Sequence, residues 1–234
     1  MLKLGEVQTL TVIKKVEFGI YLGLEDNPEE RVLLPGKHEL LDTLDRGRQA
    51  ILFLNRRGNS RVIGCAMCGA GLLNILTPVR WALTLGGLAE LTVAEIGKIG
   101  AFLDWGLEKD LFLPFREQTR RVRKGETCLV ALYIDKSERL CATMNVYPYL
   151  RTDSPYKKDD HVKGTIYETS KEFGVFVAVD NCYSALIPRR ECFGELPVGK
   201  EVEARVTEVK EDGKLNLSLR EKAYLQMDAD AEAV

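Results

Sequence analysis

The sequence predicts an all-β protein built from three small barrels in series. The main evidence is one pattern that occurs three times: a strand that begins with Gly, an apolar stretch that ends in Pro, and a second Gly before another apolar strand. The first Gly and the Pro are 16, 14 and 14 residues apart, and the Pro and the second Gly are 12, 11 and 11 residues apart. The copies are offset by 81 and 74 residues. Such a unit is longer than the usual solenoid repeat and long enough to bury its own core. The three copies are marked by Gly19, Pro35 and Gly47, by Gly100, Pro114 and Gly125, and by Gly174, Pro188 and Gly199.

The third copy shows the predicted strands most clearly. Residues 201–207 and 214–220 alternate between apolar and polar side chains, as half-buried strands do. Residues 210–213 between them are typical of a turn. In the strand that begins at Gly174 the valines share one face and Phe176 lies on the other. About five short antiparallel strands in roughly sixty residues avoid exposed edges best by closing into a five-stranded barrel of the OB type.

Composition describes an ordinary globular chain, with 45% hydrophobic and 29% charged residues. The formal net charge is −2, and residues 86–148 hold nine basic and nine acidic side chains, while residues 162–222 hold ten and eleven. Any affinity for nucleic acid is therefore expected from local patches and stacking rather than from the overall field. The N-terminus has no secretion signal and the weakly polar run 62–76 is too short to span a bilayer. We therefore expect a cytoplasmic protein without a membrane partner, whose six cysteines are free thiols.

Three segments of the third copy resemble the S1 domain of ribosomal protein S1, an OB-fold RNA-binding module. They are Phe173–Val177, Val198–Val202 and Leu215–Arg220. Nearly the whole chain is similar to the bacterial conserved virulence factor B (CvfB, YitL-like) family, on the residues Gly100–Gln118, Ser154–Lys158 and Phe176–Asn181. This resemblance implies three tandem S1-like domains followed by a winged helix, and a role as an RNA-binding regulator of gene expression.

The repeat and the resemblance together predict the domain organisation. We expect S1-like OB domains at 1–66, 84–147 and 161–222, an atypical insertion or linker at 67–83, a linker at 148–160 and an acidic tail at 223–234. The tail stands where the family would continue into its winged helix. Residues Arg61-Val62-Ile63 are expected to correspond to Arg139-Leu140-Cys141 of the second copy.

Aromatic residues recur on the outer face of the predicted barrels. Tyr21, Phe102 and Phe176 hold equivalent positions, where a ring can stack on an unpaired base. The alternative is that each ring covers a neighbouring loop or domain. Phe18 and Phe173 directly precede the Gly, and a bulge there would bring them to the same face. The second copy has Ile99 at this place, so its platform is expected to be poorer.

Basic residues cluster after the second and third prolines, where they suit phosphate contacts or form a solvated loop. The members are Arg116, Arg120, Arg121, Arg123, Lys124, Arg189 and Arg190. Lys214 and Arg220 lie on or beside the outward face of the last strand, where the resemblance implies an approach to RNA. The full set of expected RNA-binding residues is Phe18, Tyr21, Phe102, Arg116, Phe173, Phe176, Arg189, Lys214 and Arg220.

Other chemistries find little support in the sequence. Cys65 and Cys68 have the spacing of half a zinc site, but His38 and His161 are isolated and a structural site needs two further ligands. A redox pair would lack its usual strand–helix context. Trp105 is expected to pack between domains, with base stacking as the alternative. We find no catalytic constellation, and no metal or cofactor is predicted.

The sequence thus predicts a non-enzymatic cytoplasmic protein that binds single-stranded RNA and regulates bacterial gene expression. Two alternatives stay open. An OB barrel can also serve as a protein-interaction scaffold, which the near-neutral charge favours. Single-stranded DNA can stack on the same rings, since stacking does not distinguish the sugars.

Overall fold

A computed structural model of the chain describes residues 2–24, 26–35, 49–57, 61–67, 83–106, 109–192, 194 and 196–220. Within these ranges the structure is all-β and forms three closed five-stranded barrels, as the sequence predicts.

The first barrel contains β1 (Val7–Val16), β2 (Gly19–Leu24), β3 (Asn27–Pro35), β4 (Gln49–Arg57) and β5 (Arg61–Met67). The second contains β6 (Leu88–Ile96), β7 (Gly100–Asp104), β8 (Leu111–Pro114), β9 (Thr127–Ile134) and β10 (Leu140–Thr143). The third contains β11 (His161–Ser170), β12 (Gly174–Val179), β13 (Tyr183–Pro188), β14 (Glu201–Val209) and β15 (Leu215–Ser218).

All three barrels have the strand order first–second–third–fifth–fourth, the order of the OB fold. The third and fifth strands of each barrel run parallel to one another. These parallel pairs align the repeats, because Leu33 pairs with Ile63, Phe112 with Cys141 and Leu186 with Asn216. Ile63 and Cys141 therefore occupy equivalent positions, which confirms the predicted alignment of those segments.

Short 3₁₀ turns follow the third strand of two barrels, at Phe115–Glu117 and Arg189–Glu191, and a further one lies at Tyr147–Tyr149. The first two barrels contribute most of one compact unit, and the third barrel with residues 144–160 forms most of another. No helix in the described part of the chain is long and apolar enough to cross a membrane. Three features of the sequence analysis lie outside the described residues. They are the tail expected at 223–234, the segment 68–82 with Cys68, and His38. The proposed domain boundaries stay a prediction.

The repeated Gly and Pro are partners across the second and third strands. Gly19 pairs with Pro35, Gly100 with Pro114 and Gly174 with Pro188. A Cβ atom at these glycines would lie 2.2 Å from the Leu34 carbonyl oxygen, 2.4 Å from that of Leu113 and 2.1 Å from that of Ile187. Only glycine permits so close an approach of the two backbones. The repeated Gly-to-Pro spacing is therefore the length of the hairpin formed by the second and third strands, because the Gly and the Pro are paired at its open end.

The second repeated Gly ties the fourth strand to a bulge in the first. Gly125 and Gly199 have φ of +81° and +91°, a conformation that favours glycine. Their N–H groups donate to the carbonyls of Val93 at 2.8 Å and Ile166 at 2.7 Å. Each acceptor lies directly before a β-bulge of its strand. Gly47, the corresponding residue of the first copy, lies outside the described residues.

The core of the third barrel follows the predicted alternation. Val175, Val177 and Val179 of β12 are buried in it, whereas Phe176 is half-buried on the opposite face. On β14 the buried positions are Val202, Ala204 and Val206, and on β15 they are Leu215 and Leu217. The inward face is thus filled, and the outward face of β12, β13 and β15 is left to carry other functions.

Replacing Gly100 by Ala is expected to destabilise the second barrel by about 3 kcal/mol, because the new Cβ would overpack a strand pair that cannot move apart. The conformation of Gly100 itself is not left-handed, so the clash alone is tested. Gly125→Ala is the matched control, since its Cβ would have nothing within 4 Å and only its φ of +81° would be strained. That strain costs about 1 kcal/mol. Denaturant unfolding of both variants gives the comparison, and a cost for Gly125→Ala equal to or above that for Gly100→Ala would contradict it.

Candidate nucleic-acid interface

The repeated aromatic residues lie at equivalent outward positions, as predicted. Tyr21, Phe102 and Phe176 are each half-buried, and each pairs with an apolar residue of the third strand. The pairs are Tyr21 with Leu33, Phe102 with Phe112 and Phe176 with Leu186. The same ring is therefore presented three times, and the surroundings decide what each face can bind.

The third barrel has a groove of about 260 Å³ along this face. Phe173 and Phe176 lie in it together with Tyr147, Lys210 and Lys214. Its remaining lining comes from Ser184, Ala185, Leu186 and Leu215. The Phe173 side chain is 63% exposed, so one flat ring is open to a ligand. The floor of the groove is apolar except for Ser184, and one edge is cationic, which suits a base with its attached phosphate.

Gly174 brings the two phenylalanine rings to one face. Its φ of +121° turns the chain between Phe173 and β12. A bulge was expected at this glycine, and that prediction is wrong. The bulge lies in the partner strand β11, between Ile166 and Glu168, and the glycine acts through its own backbone angle.

The ring of Tyr167 on β11 packs against the Phe176 ring. The two ring centroids are 6.1 Å apart with an interplanar angle of 40°. Tyr167 is 5% exposed, and burial raises the pKa of its hydroxyl, so the residue stays neutral. Phe176 is thereby held in a fixed orientation, which reduces the entropy lost when a base stacks on it.

Lys214 is fixed at the rim of the groove. Its Nζ lies 2.7 Å from Asp212 Oδ2, and this contact, followed by one with the Tyr147 hydroxyl, raises the pKa of the lysine. Lys210 is exposed on the other side of the same turn, where its N–H donates to the Lys214 carbonyl at 2.9 Å. The turn therefore places two ammonium groups beside the rings.

Tyr147 and Lys210 were not among the expected site residues. Lys210 could have been found, because a tight turn at 210–213 places it opposite Lys214. Tyr147 has no counterpart in the repeat pattern. Its 3₁₀ turn lies before the barrel in sequence and reaches the groove only through the fold.

The first barrel presents a second aromatic pair. Phe18 is 60% exposed, and its ring meets the Tyr21 ring edge-on at 6.4 Å and 87°. The Arg31 guanidinium lies 5.6 Å from the centroid of the Tyr21 ring, a cation–π geometry. This face therefore also combines open rings with a cation, and Arg31, like Tyr147 and Lys210, was not among the expected site residues.

The second barrel presents a different face, in line with the expectation of a poorer platform. Ile99 replaces the exposed phenylalanine and is 70% exposed. The Phe102 and Phe112 rings lean on one another at 5.4 Å. Asp104 and Asp110 flank the face at the ends of β7 and β8. Because carboxylates repel phosphate, this face is less suited to nucleic acid than the other two.

Three expected cations are not among the residues that line the groove. Arg116 is exposed on its 3₁₀ turn, 3.6 Å from Glu117 and beside Tyr133. Arg189 donates to the Lys171 carbonyl and lines a separate depression. Arg220 follows β15, and its N–H donates to Ser218 Oγ at 3.1 Å. Of the nine expected residues the structure thus brings Phe173, Phe176 and Lys214 together in one groove.

Two arginines of the basic cluster of the second copy are engaged by neighbouring side chains. Arg120 forms an ion pair with Glu126, and the Arg121 guanidinium lies 4.3 Å from the Phe115 ring centroid. These side chains brace the loop before β9. Across the described ranges no group of three or more His, Cys, Asp or Glu side chains could hold a metal ion.

Comparison with known proteins gives the family. The S1 domain model matches residues 4–54 and 85–145, and the model of the second domain of virulence regulatory factor CvfB matches residues 149–221. The uncharacterized protein YitL of Bacillus subtilis is 26% identical over 241 residues, which span 98% of this chain and 74% of YitL. The chain belongs to the CvfB/YitL-like family. Its family and fold are those of S1/OB nucleic-acid-binding domains rather than those of enzymes.

A solved structure shares the fold of this family member. It is a multidomain protein with nucleic acid binding domains from Streptococcus pneumoniae, with a TM-score of 0.53 and 18% sequence identity. The match covers 97% of this chain and 80% of that one.

Trp105 has the contacts of a structural residue. It is 2% exposed, and its indole N–H donates to the Lys109 carbonyl at 2.6 Å. A ring so enclosed offers no face to a base, which favours the packing role over base stacking.

Trp105→Ala is expected to lower the free energy of unfolding by about 3–5 kcal/mol, because it leaves a large cavity beside β7. Trp105→Phe should cost less, since it keeps most of the volume. Thermal melting of both variants measures the effect. An unchanged melting temperature for Trp105→Ala, accompanied by a tenfold loss of RNA affinity, would place Trp105 in the binding site instead.

Proposed function

We propose that this protein binds single-stranded RNA, with the groove of the third barrel as the main contact, and that it acts without catalysis as a regulator of bacterial gene expression in the cytoplasm. The S1-domain matches support nucleic-acid binding in general. The observation that carries the finer proposal is the open Phe173 ring beside the supported Phe176 ring, with two lysines at the rim.

Stacking supplies most of the proposed affinity. A base stacked on an aromatic side chain contributes about 1–3 kcal/mol. Phe176 is held by Tyr167 and Phe173 is exposed, so the two rings can receive one or two bases. Bases in a duplex are already stacked and paired, and their faces are not accessible to such rings. The groove therefore favours unpaired strands.

Charge supplies a smaller share. The chain has a net charge of −2, and Lys210 and Lys214 are the cations at the groove rim. We expect about two to four phosphate contacts, each contributing a salt slope of roughly 0.7 for a single strand. Binding should therefore weaken only gradually as salt is added.

The proposal of RNA rather than DNA is supported by polar groups beside the rings. The Tyr147 hydroxyl lies at the rim next to Lys214, and Ser184 lies in the floor. A 2′-hydroxyl can both donate and accept a hydrogen bond. A contact from either group to the ribose would favour RNA.

A second candidate function is favoured by the second barrel. Its face joins the exposed Ile99 to Phe102 and Phe112, with Asp104 and Asp110 at the ends. An apolar face with an acidic border suits a basic, apolar segment of a protein partner. One barrel can thus serve as a protein-interaction scaffold while the third binds RNA.

Phe173→Ala and Phe176→Ala are each expected to weaken single-stranded RNA binding by about tenfold or more, because each removes a stacking surface. Ile99→Ala is the matched control, since Ile99 holds the position of Phe173 in the second barrel and is likewise exposed to solvent, at 70% against 63%. The measurement is a titration with single-stranded RNA, with circular dichroism to check the fold.

The same titration with single-stranded DNA and duplex RNA tests the ligand class. Weaker binding of both is the expected result. Equal affinity for single-stranded DNA would reassign the ligand, and unchanged affinity of both phenylalanine variants for RNA would remove the third barrel from the site.

A further inference from the structure

We propose that a second groove on the third barrel binds the phosphodiester backbone of the strand whose bases stack on Phe173 and Phe176; this inference rests on the proposed function. The second groove, which we term the basic groove, has a volume of about 710 Å³. It is lined by Tyr156, Lys157, Lys158, Arg190, Thr207, Glu208 and Val209.

The three cations of the basic groove have their charges available. Lys157 and Lys158 are exposed, and neither makes an ion pair with any residue that the structure describes. The Arg190 side chain is 86% exposed, and its Nε is 4.0 Å from Glu191. Elsewhere on the barrel cations are neutralised at short range, as in Lys163–Glu203 at 2.6 Å and Arg205–Asp159 at 2.7 Å.

The segment that carries the two lysines is held in place. The Tyr156 hydroxyl donates to Asp180, which raises the pKa of Tyr156 to about 12 and keeps it protonated. The Tyr156 ring meets the Tyr183 ring edge-on at 6.3 Å. The Lys157 N–H donates to Asp160 Oδ2 at 2.7 Å. Because this segment is fixed before a ligand arrives, little conformational entropy is lost on binding.

The same segment also makes backbone contacts with the barrel at Arg151, a few residues earlier in the sequence. Arg151 forms a parallel β-bridge with Tyr183, and its N–H donates to the Cys182 carbonyl at 2.8 Å. A Cβ on Gly213 would lie 1.8 Å from the Thr152 carbonyl oxygen. The turn between β14 and β15 is thus in direct backbone contact with the segment that leads to the lysines.

The basic groove and the groove that contains Phe173 and Phe176, which we term the aromatic groove, are lined by consecutive residues of the β14–β15 hairpin. Val209 lines the former and the next residue, Lys210, lines the latter. Asn216 contacts the lining of both grooves. Its backbone pairs with Leu186 of the aromatic groove, and its side-chain amide donates to Glu208 of the basic groove at 2.8 Å. A strand that crosses the β14–β15 hairpin therefore meets rings on one side and cations on the other.

The chemistry of the basic groove fits phosphodiesters rather than bases. Three cations surround one carboxylate, that of Glu208, which is engaged by Asn216. Lysine and arginine position a nucleic-acid backbone without reading its sequence. The basic groove would thus add affinity to any strand that the aromatic groove accepts.

Single charge-removing variants test this inference in the full chain. Lys158→Gln and Arg190→Gln are each expected to weaken single-stranded RNA binding about fivefold at 0.1 M salt and to lower the log–log salt slope by about 0.7, the value for one lost phosphate contact. Lys163→Gln is the control, because it removes the same charge from the same barrel outside both grooves. It should leave the slope unchanged.

Glu208→Gln gives the opposite test. It removes the one carboxylate among the residues that line the basic groove, while the glutamine carbonyl can still accept from Asn216. Tighter RNA binding is expected, and a gain in affinity does not arise from misfolding.

The outcomes separate the two proposals. If Lys158→Gln and Arg190→Gln match the Lys163→Gln control while Phe176→Ala weakens binding, the basic groove lies outside the footprint and the proposed function stands. If Phe176→Ala also has no effect, both proposals fail. If the lysine and arginine variants instead weaken binding of an acidic peptide but not of RNA, the basic groove is a protein site.

Discussion

The close approach of the second and third strands at the Gly–Pro pair is the constraint on which the rest of the structure depends. A carbonyl oxygen lies where a Cβ would otherwise be, at 2.1 Å in the third barrel. Because the strands meet so tightly there, the chain turns sharply before Gly174 and Phe173 comes round to the face of Phe176. The N–H of Arg189, the residue after Pro188, donates to the Phe173 carbonyl at 3.1 Å. The hydrogen bond beside the Gly174–Pro188 pair thus fixes the backbone of the residue that carries the exposed ring.

One scaffold carries three different faces. The strand order is the same in each barrel, and Tyr21, Phe102 and Phe176 pair with equivalent residues of the third strand, so the position of the outward ring is fixed by the fold. The groups around it are not: Arg31 lies over Tyr21, Asp104 and Asp110 flank Phe102, and lysines flank Phe176. Since electrostatics decides which ligand reaches a stacking surface, the three faces need not share a ligand.

The fold could be predicted from the sequence because its signals are local. The alternation of Glu201–Thr207 and Lys214–Arg220, the turn at Gly213 and the Gly–Pro spacing each report on one hairpin, and the structure confirms them. The number of strands expected in one copy, about five in roughly sixty residues, then favoured closure into a barrel.

The site could be predicted only in part, because it is assembled from distant segments. Phe173, Phe176 and Lys214 follow from the repeat and the resemblance. Tyr147 reaches the groove through the path of the chain between two barrels, which no local pattern records. Arg116 and Arg189 were expected to contact phosphate or to lie in a solvated loop. On the 3₁₀ turns that follow the prolines, Arg116 lies beside Tyr133 and Arg189 lines a separate depression. The sequence shows the chemical type of each side chain, but it does not show the direction in which that side chain points.

The central claim is that unpaired bases stack in the groove of the third barrel. The most direct measurement is photocross-linking of the full chain to a single-stranded RNA that contains 4-thiouridine, followed by mass spectrometry of the linked peptides. The account predicts cross-links at Phe173, Phe176 and Tyr147. Cross-links confined to Ile99–Phe112 of the second barrel, with none in the third, would contradict it.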